Sequence, residues 1–287
     1  MLFLLYFIFT EGCIMSFIAI YHIARNEFYR VLVHPLTMVI VAIMLINTFI
    51  MVNGELLDLK TLSIIENVDV FIHAYYINGY DPNFISYIMA AFLGVTAIAE
   101  ERAKGTLNVL SSKPLYRKDI ILGKFVGLSV SMLVIVIALL SMMTFMLLYL
   151  YGGPQSLTEF LLRITAYTMS LWLELSFVIA FTLLIGTVLR NILMSMAITV
   201  TFLSFEWFWR NASTGLIETF ITRFPITPRT LLGWIINPNN SLENLFYTSM
   251  PFYSWLNDAM PYIVLSLVMV LTMLYFDCLA VRRSDDL

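Results

Sequence analysis

The chain has 287 residues, of which 60% are hydrophobic and 12% charged, whereas soluble globular domains average about 45–50% and about 25%. This composition excludes an ordinary soluble domain and predicts an all-α, polytopic membrane protein that forms a single transmembrane domain over residues 1–287. A spanning helix needs about 20 apolar residues to cross about 30 Å of hydrocarbon, so the chain has room for about six spans. The net charge of −3 is small, and we expect no nucleic-acid partner.

The N-terminal region predicts a helix that lies in the membrane interface rather than across the membrane. The apolar run before Met15 is too short to span and has no basic region typical of a signal peptide, so we expect translation to start at Met15. Over residues 15–33, apolar side chains recur every three or four positions, and polar side chains lie on the opposite face. The apolar set is Phe17, Tyr21, Ala24, Phe28 and Val31, and the polar set is His22, Arg25, Asn26 and Arg30.

The first two spans are predicted over residues 35–52 and 84–99. The first opens with Pro35, which is tolerated in the first turn of a helix, and Asn53 and Gly54 follow its end. Residues 53–83 between the spans are rich in Asp and Glu, and we expect this acidic loop to lie outside the cell. The second span leads into a charged segment at residues 100–124.

The second half of the chain predicts four more spans, over residues 125–151, 161–189, 191–209 and 261–280. Residues 210–260 contain several prolines and only short apolar pieces. Non-helical backbone at membrane depth is tolerated only where it is buried in protein or lines water, so this segment lies outside or re-enters the membrane partway.

The charged segment at residues 100–124 holds six of the sixteen Lys and Arg residues. Because cytoplasmic loops carry an excess of basic residues, this segment and both termini are predicted to face the cytosol. A short helix is expected to start near Gly105 and Thr106 and to stop at Pro114, since the residue before proline disfavours the α region. Leu107 and Leu110 share one side of that helix.

The same segment contains the pattern E-R-x-x-G-T-L-x-x-L-x-x-x-P-x-x-R-x-x-I-x-x-G-K, which resembles the coupling segment of ABC-2 type transporter permeases. The copper-enzyme-maturation and sodium-export permeases are the most similar group in general appearance. The resemblance implies an N-terminal elbow helix and a cytoplasmic coupling helix that docks on an ABC ATPase. The coupling residues that it implies are Glu100, Glu101, Arg102, Gly105, Thr106, Leu107, Leu110, Pro114, Arg117 and Lys124.

The resemblance also implies which molecules work with this chain. ATP and Mg would be bound by a separate cytoplasmic ATPase, because the sequence has no phosphate-binding loop of its own. A second permease subunit, identical or different, would complete the transporter in the cell membrane. The chain itself is expected to bind no cofactor or metal and to have no catalytic residues, since no hydrolase, zinc or redox motif occurs.

Glu174 is the one acidic residue predicted near the middle of a span. An ionisable group at that depth is costly, so it is a candidate for the substrate route. The alternative is a glutamate that only holds helices together. Two other functions stay open: an ion-coupled secondary transporter that uses Glu174, and a membrane assembly factor without a transport cycle.

Overall fold

The computed structural model describes residues 13–54, 69, 71–72, 80–103, 117–189, 191–211, 227–238, 244–246, 248 and 250–283. Within these ranges the regular structure is entirely helical, so the predicted all-α class is confirmed. Eight helices follow in chain order: α1 Cys13–Val33, α2 Pro35–Gly54, α3 Tyr80–Ala103, α4 Arg117–Tyr151, α5 Leu157–Val188, α6 Ile192–Asn211, α7 Pro228–Ile236 and α8 Phe252–Arg283.

Three of the described helices are long and apolar enough to cross a membrane: α4, α5 and α8. The pair α1 and α2, bent by 59° at His34, adds a fourth span if the two helices are counted as one. Shorter apolar stretches lie at Ile85–Ile98 in α3 and at Ile192–Ser204 in α6. The structure therefore supports a multi-span membrane protein with three or four spans by length and composition.

Two helices begin well before the predicted spans. The last helix begins at Phe252 and continues through Pro261, where the sequence predicted its start. A proline ring removes one backbone hydrogen bond but does not have to end a helix when the surrounding residues favour it. Likewise, α4 begins at Arg117 and carries the last residues of the charged segment as its first turns.

Helix α5 lies at the centre of the bundle. It contacts α3, α4, α6, α7 and α8, and its residues 174–180 are all buried. A helix buried on every side is expected where apolar residues surround the axis. Leu175, Ile179 and Leu183, spaced one turn apart, are fully buried in this centre.

A small residue allows α3 to approach α5 closely. A Cβ atom added at Gly94 would lie 1.9 Å from the Thr182 hydroxyl oxygen and 3.2 Å from the Ile179 carbonyl oxygen. Small residues at helix contacts are typical of membrane bundles, because there the attraction between helices comes from close packing rather than from the hydrophobic effect. Gly94 thus fixes how α3 is held against the central helix.

Candidate functional site

The residues of the predicted coupling segment fall on two helices and on the chain between them. Glu100, Glu101 and Arg102 lie in the last turn of α3, and Arg117 opens α4. Five others lie outside the described residues, within the stretch 104–116; they are Gly105, Thr106, Leu107, Leu110 and Pro114. The structure thus describes the two helices that frame the segment.

Lys124, the last residue of the pattern, is buried between three helices. Its side chain is 1% exposed. The ammonium nitrogen lies 2.7 Å from Oε1 of Glu27 on α1, and it donates a second hydrogen bond of 2.9 Å to the carbonyl oxygen of Ala97 on α3. The other carboxylate oxygen of Glu27 lies 2.6 Å from the Arg30 guanidinium. We call Glu27, Lys124 and the Ala97 carbonyl the three-helix node.

The sequence around Lys124 explains how α1 comes so close. A Cβ atom at Gly123 would lie 2.7 Å from Cβ of Ile23, and one at Gly127 would lie 2.5 Å from the Ala24 carbonyl oxygen. The two glycines are four residues apart and therefore share one face of α4. The spacing is that of the small-xxx-small pattern by which membrane helices pack at short distance.

A second polar group lies near the ends of α5 and α8. Asp277 on α8 is fully buried beside the hydroxyl of Thr187 on α5. Asp119, in the first turn of α4, is also buried. Lys118 and Asp119 both lie near Cys278 on α8. The first turns of α4 therefore adjoin the ends of two further helices.

Glu174 lies near the middle of α5 and is 4% exposed. It lines a narrow cleft between α5, α7 and α8, which has room for about one water molecule. Apart from Glu174, the lining is mostly apolar with two hydroxyl groups. The lining residues are Ser170, Leu173, Glu174, Phe177, Pro228, Leu231, Leu232, Ile235 and Ser266.

The short helix α7 forms one wall of this cleft and packs against α5. Its first residue, Pro228, lines the cleft with Glu174, and Thr227 caps it by accepting a hydrogen bond from the Thr230 amide. At its other end, the Ile236 carbonyl accepts a hydrogen bond from the Leu245 amide. The N-terminal end of α7, which carries the positive end of the helix dipole, therefore borders the same cleft as the buried glutamate.

Arg229 and Tyr167 belong to the surroundings of Glu174. Arg229 and Tyr167 are both buried, and Arg229 and Glu174 both lie near the Tyr167 hydroxyl. The Tyr167 ring packs edge-on against Phe246 at 4.9 Å between centroids. A buried carboxyl group and a buried guanidinium group therefore both lie close to Tyr167.

At the far end of the cleft, Arg163 fastens the segment between α7 and α8 onto α5. Its guanidinium donates hydrogen bonds to the carbonyl oxygens of Leu245 and Met250. It also pairs with Glu159, one turn earlier, at 2.9 Å. The Trp255 indole nitrogen adds a bond of 3.0 Å to the Ile235 carbonyl, which ties α8 to α7.

Asp69 lies next to this region and organises the turn between α4 and α5. Its two carboxylate oxygens accept hydrogen bonds from the amides of Phe71 at 3.0 Å and Gln155 at 2.8 Å. Its own amide donates to the Thr248 hydroxyl at 3.2 Å. Residues from three distant parts of the sequence are therefore joined at the end of the bundle opposite to Lys124.

Sequence reasoning singled out Glu174 and Lys124 as candidates but not the buried charged residues Glu27, Arg163 and Arg229. Arg163 lies inside a predicted span, and a charged residue there is the signal that would have singled it out. Within the described ranges no group of three or more His, Cys, Asp or Glu side chains is placed to hold a metal ion.

Comparison with known proteins gives one match. A family model described as ABC-2 family transporter protein matches residues 2–274, which is nearly the whole chain. No curated protein matches the chain significantly.

Proposed function

Because the chain belongs to the ABC-2 family of transporter proteins, we propose that it is the permease subunit of an exporter driven by a separate cytoplasmic ATPase. ATP and Mg are bound by that ATPase, and a second permease subunit completes the transporter in the cell membrane. The chain contributes the spans, the docking segment and the route, but no catalytic residue.

The observation that carries this proposal is a hydrogen bond between the two helices that frame the charged segment. Ala97 lies near the end of α3 and Lys124 near the start of α4, and a hydrogen bond of 2.9 Å joins them. The ends of the two helices that frame the charged segment therefore lie side by side. The basic residues of that segment favour the cytosol, where an ATPase would meet it.

The proposed topology has six spans. In this arrangement α1 is the elbow helix at the interface, and α2, α3, α4, α5, α6 and α8 cross the membrane. Both termini and residues 100–124 face the cytosol. Helix α7 then lies alongside the outer half of α5 and re-enters the membrane from outside, with its N-terminal end at the cleft beside Glu174.

The cleft at Glu174 is proposed as part of the substrate route. The support for this role is the buried acid itself, because ionisable residues inside spans commonly mark substrate or ion pathways. The cleft beside it has room for about one water molecule, so it must widen for a substrate to pass. An ion-coupled secondary transporter that uses Glu174 would leave the charged segment at residues 100–124 without a purpose.

The docking role is tested with Leu110→Asp in the permease purified with its ATPase. If Leu110 docks in a groove of the ATPase, a charge there should release the ATPase or abolish stimulated ATP turnover, while the membrane domain stays folded. The matched control is Asn108→Asp, which adds the same charge two residues away on another side of the short helix. Normal ATPase binding and turnover in the Leu110→Asp complex would rule out this docking contact.

A further inference from the structure

We infer that the three-helix node transmits movement of the coupling segment to the elbow helix, with Glu27 and Lys124 as positioning residues. In this role α1, the end of α3 and the start of α4 move as one body when the ATPase changes state. The inference rests on the proposed function, and it assigns to Lys124 a contact within the chain rather than with the ATPase.

The geometry of the node supports this role because one side chain joins all three helices. The Lys124 ammonium lies within 2.7 Å of α1 through Glu27 and within 2.9 Å of α3 through Ala97. Lys124 itself belongs to α4 and lies two turns after Arg117, the first residue of that helix. If the charged segment moves and turns the start of α4, the Lys124 contacts must therefore also pull on α1 and α3.

Burial makes the node resistant to opening. Both side chains are at most 2% exposed, so water cannot replace either partner when the helices separate. Breaking the pair would leave a charge uncompensated in a low-dielectric interior, which is far less favourable than moving the two helices together. By contrast, Arg30, the second partner of Glu27, is 31% exposed and can exchange its contact with water.

Close packing on both sides of Lys124 prevents sliding. Gly123 precedes the lysine and Gly127 lies one turn after it, and at both positions α1 occupies the space that a side chain would need. Packed helices of this kind shift as rigid elements rather than deform continuously. The glycines therefore hold α1 against α4, and the ion pair fixes the register between them.

The ion pair between Arg163 and Glu159 offers a comparison at the other end of the bundle. It joins two residues of one helix, and Glu159 is 33% exposed. The Glu159 carboxylate therefore does not connect α5 to another helix in this contact. Removing that carboxylate provides a matched control for the loss of a salt bridge away from the charged segment.

The test measures movement of the elbow helix in the complete complex with its ATPase. Spin labels are attached at Asn26→Cys on α1 and Leu267→Cys on α8, both at exposed positions, in a background with Cys13→Ser and Cys278→Ser. The distance distribution between the labels is recorded without nucleotide and after trapping with MgATP and vanadate. The labelled parent protein is compared with Lys124→Met, with the double variant Glu27→Gln/Lys124→Met, and with Glu159→Gln.

We expect the parent and Glu159→Gln to show the same nucleotide-dependent change in distance. Lys124→Met and the double variant should lose at least half of this change. The double variant distinguishes a role of the pair in transmitting movement from a role in stabilising the fold. Removing both charges of the pair leaves neither Glu27 nor Lys124 as an uncompensated ion in the interior. The double variant should be recovered with the ATPase in nearly parental yield and still show the loss.

Each other outcome overturns the inference, and the outcomes are distinguishable. A full distance change in either Lys124 variant means that the node transmits nothing. Poor recovery of the double variant as well as the single one means that the pair only holds the fold. If the parent turns over ATP but shows no nucleotide-dependent change in distance, only the transmission to α1 is ruled out. If the chain does not associate with any ATPase, the proposed function itself is rejected.

Discussion

The contact between α1 and α4 makes Gly127 a position that should not tolerate a side chain. A Cβ atom at this position would lie 2.5 Å from the Ala24 carbonyl oxygen and 2.7 Å from Cβ of Glu27. Ordinary contacts begin near 3.4 Å, and the obstructing atoms cannot rotate away because they belong to the backbone and the first side-chain carbon. Gly127→Ala should therefore push α1 away from α4 by about 1 Å.

The energetic consequence follows from two opposing effects. Overpacking of a close contact costs about 1–3 kcal/mol, whereas alanine is better than glycine inside a helix by about 1 kcal/mol. Because the clash is with backbone, we expect a net loss of about 1–2 kcal/mol. The same shift would lengthen the 2.7 Å contact between Lys124 and Glu27 beyond hydrogen-bonding distance.

Thermal unfolding of the purified protein in one detergent measures this loss. A change of 1 kcal/mol moves Tm by about 2–3 °C in a chain of this size, so Gly127→Ala should lower Tm by about 2–6 °C. The matched control is Gly233→Ala in α7, where an added Cβ meets no atom within 4 Å; its Tm should stay the same or rise. If Gly127→Ala unfolds at or above the parental temperature, the tight contact between α1 and α4 does not exist.

Three further predictions concern other parts of the chain. Arg163→Met removes two charge-assisted hydrogen bonds to the carbonyls of Leu245 and Met250 and should cost about 3 kcal/mol; limited proteolysis should then cut near these residues, and unchanged protease resistance would contradict the role of Arg163. A cysteine placed at Ser112 should react with an impermeant thiol reagent only after the cells are opened, in a background without the native cysteines; labelling from outside intact cells would reverse the proposed orientation. Glu174→Gln should preserve assembly and change transport or its pH dependence, whereas Glu174→Leu should reduce recovery of the complex; parental transport by Glu174→Gln at every pH would remove the glutamate from the substrate route.

The helical bundle was predictable because, in a chain of this composition, long apolar runs separated by charged or proline-rich breaks indicate membrane-spanning helices. The central burial of Glu174 was predictable for the same reason, since residue counting places it far from both ends of its helix. The ends of helices were less predictable. The last helix continues through Pro261 because its apolar residues on both sides still pack, and the proline removes only one hydrogen bond.

The buried face of α1 shows why hydrophobicity alone misplaces contacts in a membrane protein. Phe17 and Tyr21 are 52% and 62% exposed, whereas the charged residue Glu27 is 1% exposed. Apolar side chains are stable against lipid, so they need not face the protein, and small or paired residues make the contacts instead. Lys124, the partner of Glu27 on another helix, lies 97 residues away. The periodicity of a single helix cannot predict a contact over that separation.

Arg163 also has a consequence for the order in which this protein acquires its structure during synthesis. The two carbonyl groups that it binds belong to residues 82 and 87 positions later in the chain, so at about 5–20 residues per second they leave the ribosome roughly 4–17 s after the arginine. Glu159, four residues earlier, is already present throughout this interval. The glutamate can therefore neutralise the arginine while α5 inserts, until the segment before α8 arrives and closes over the end of the helix.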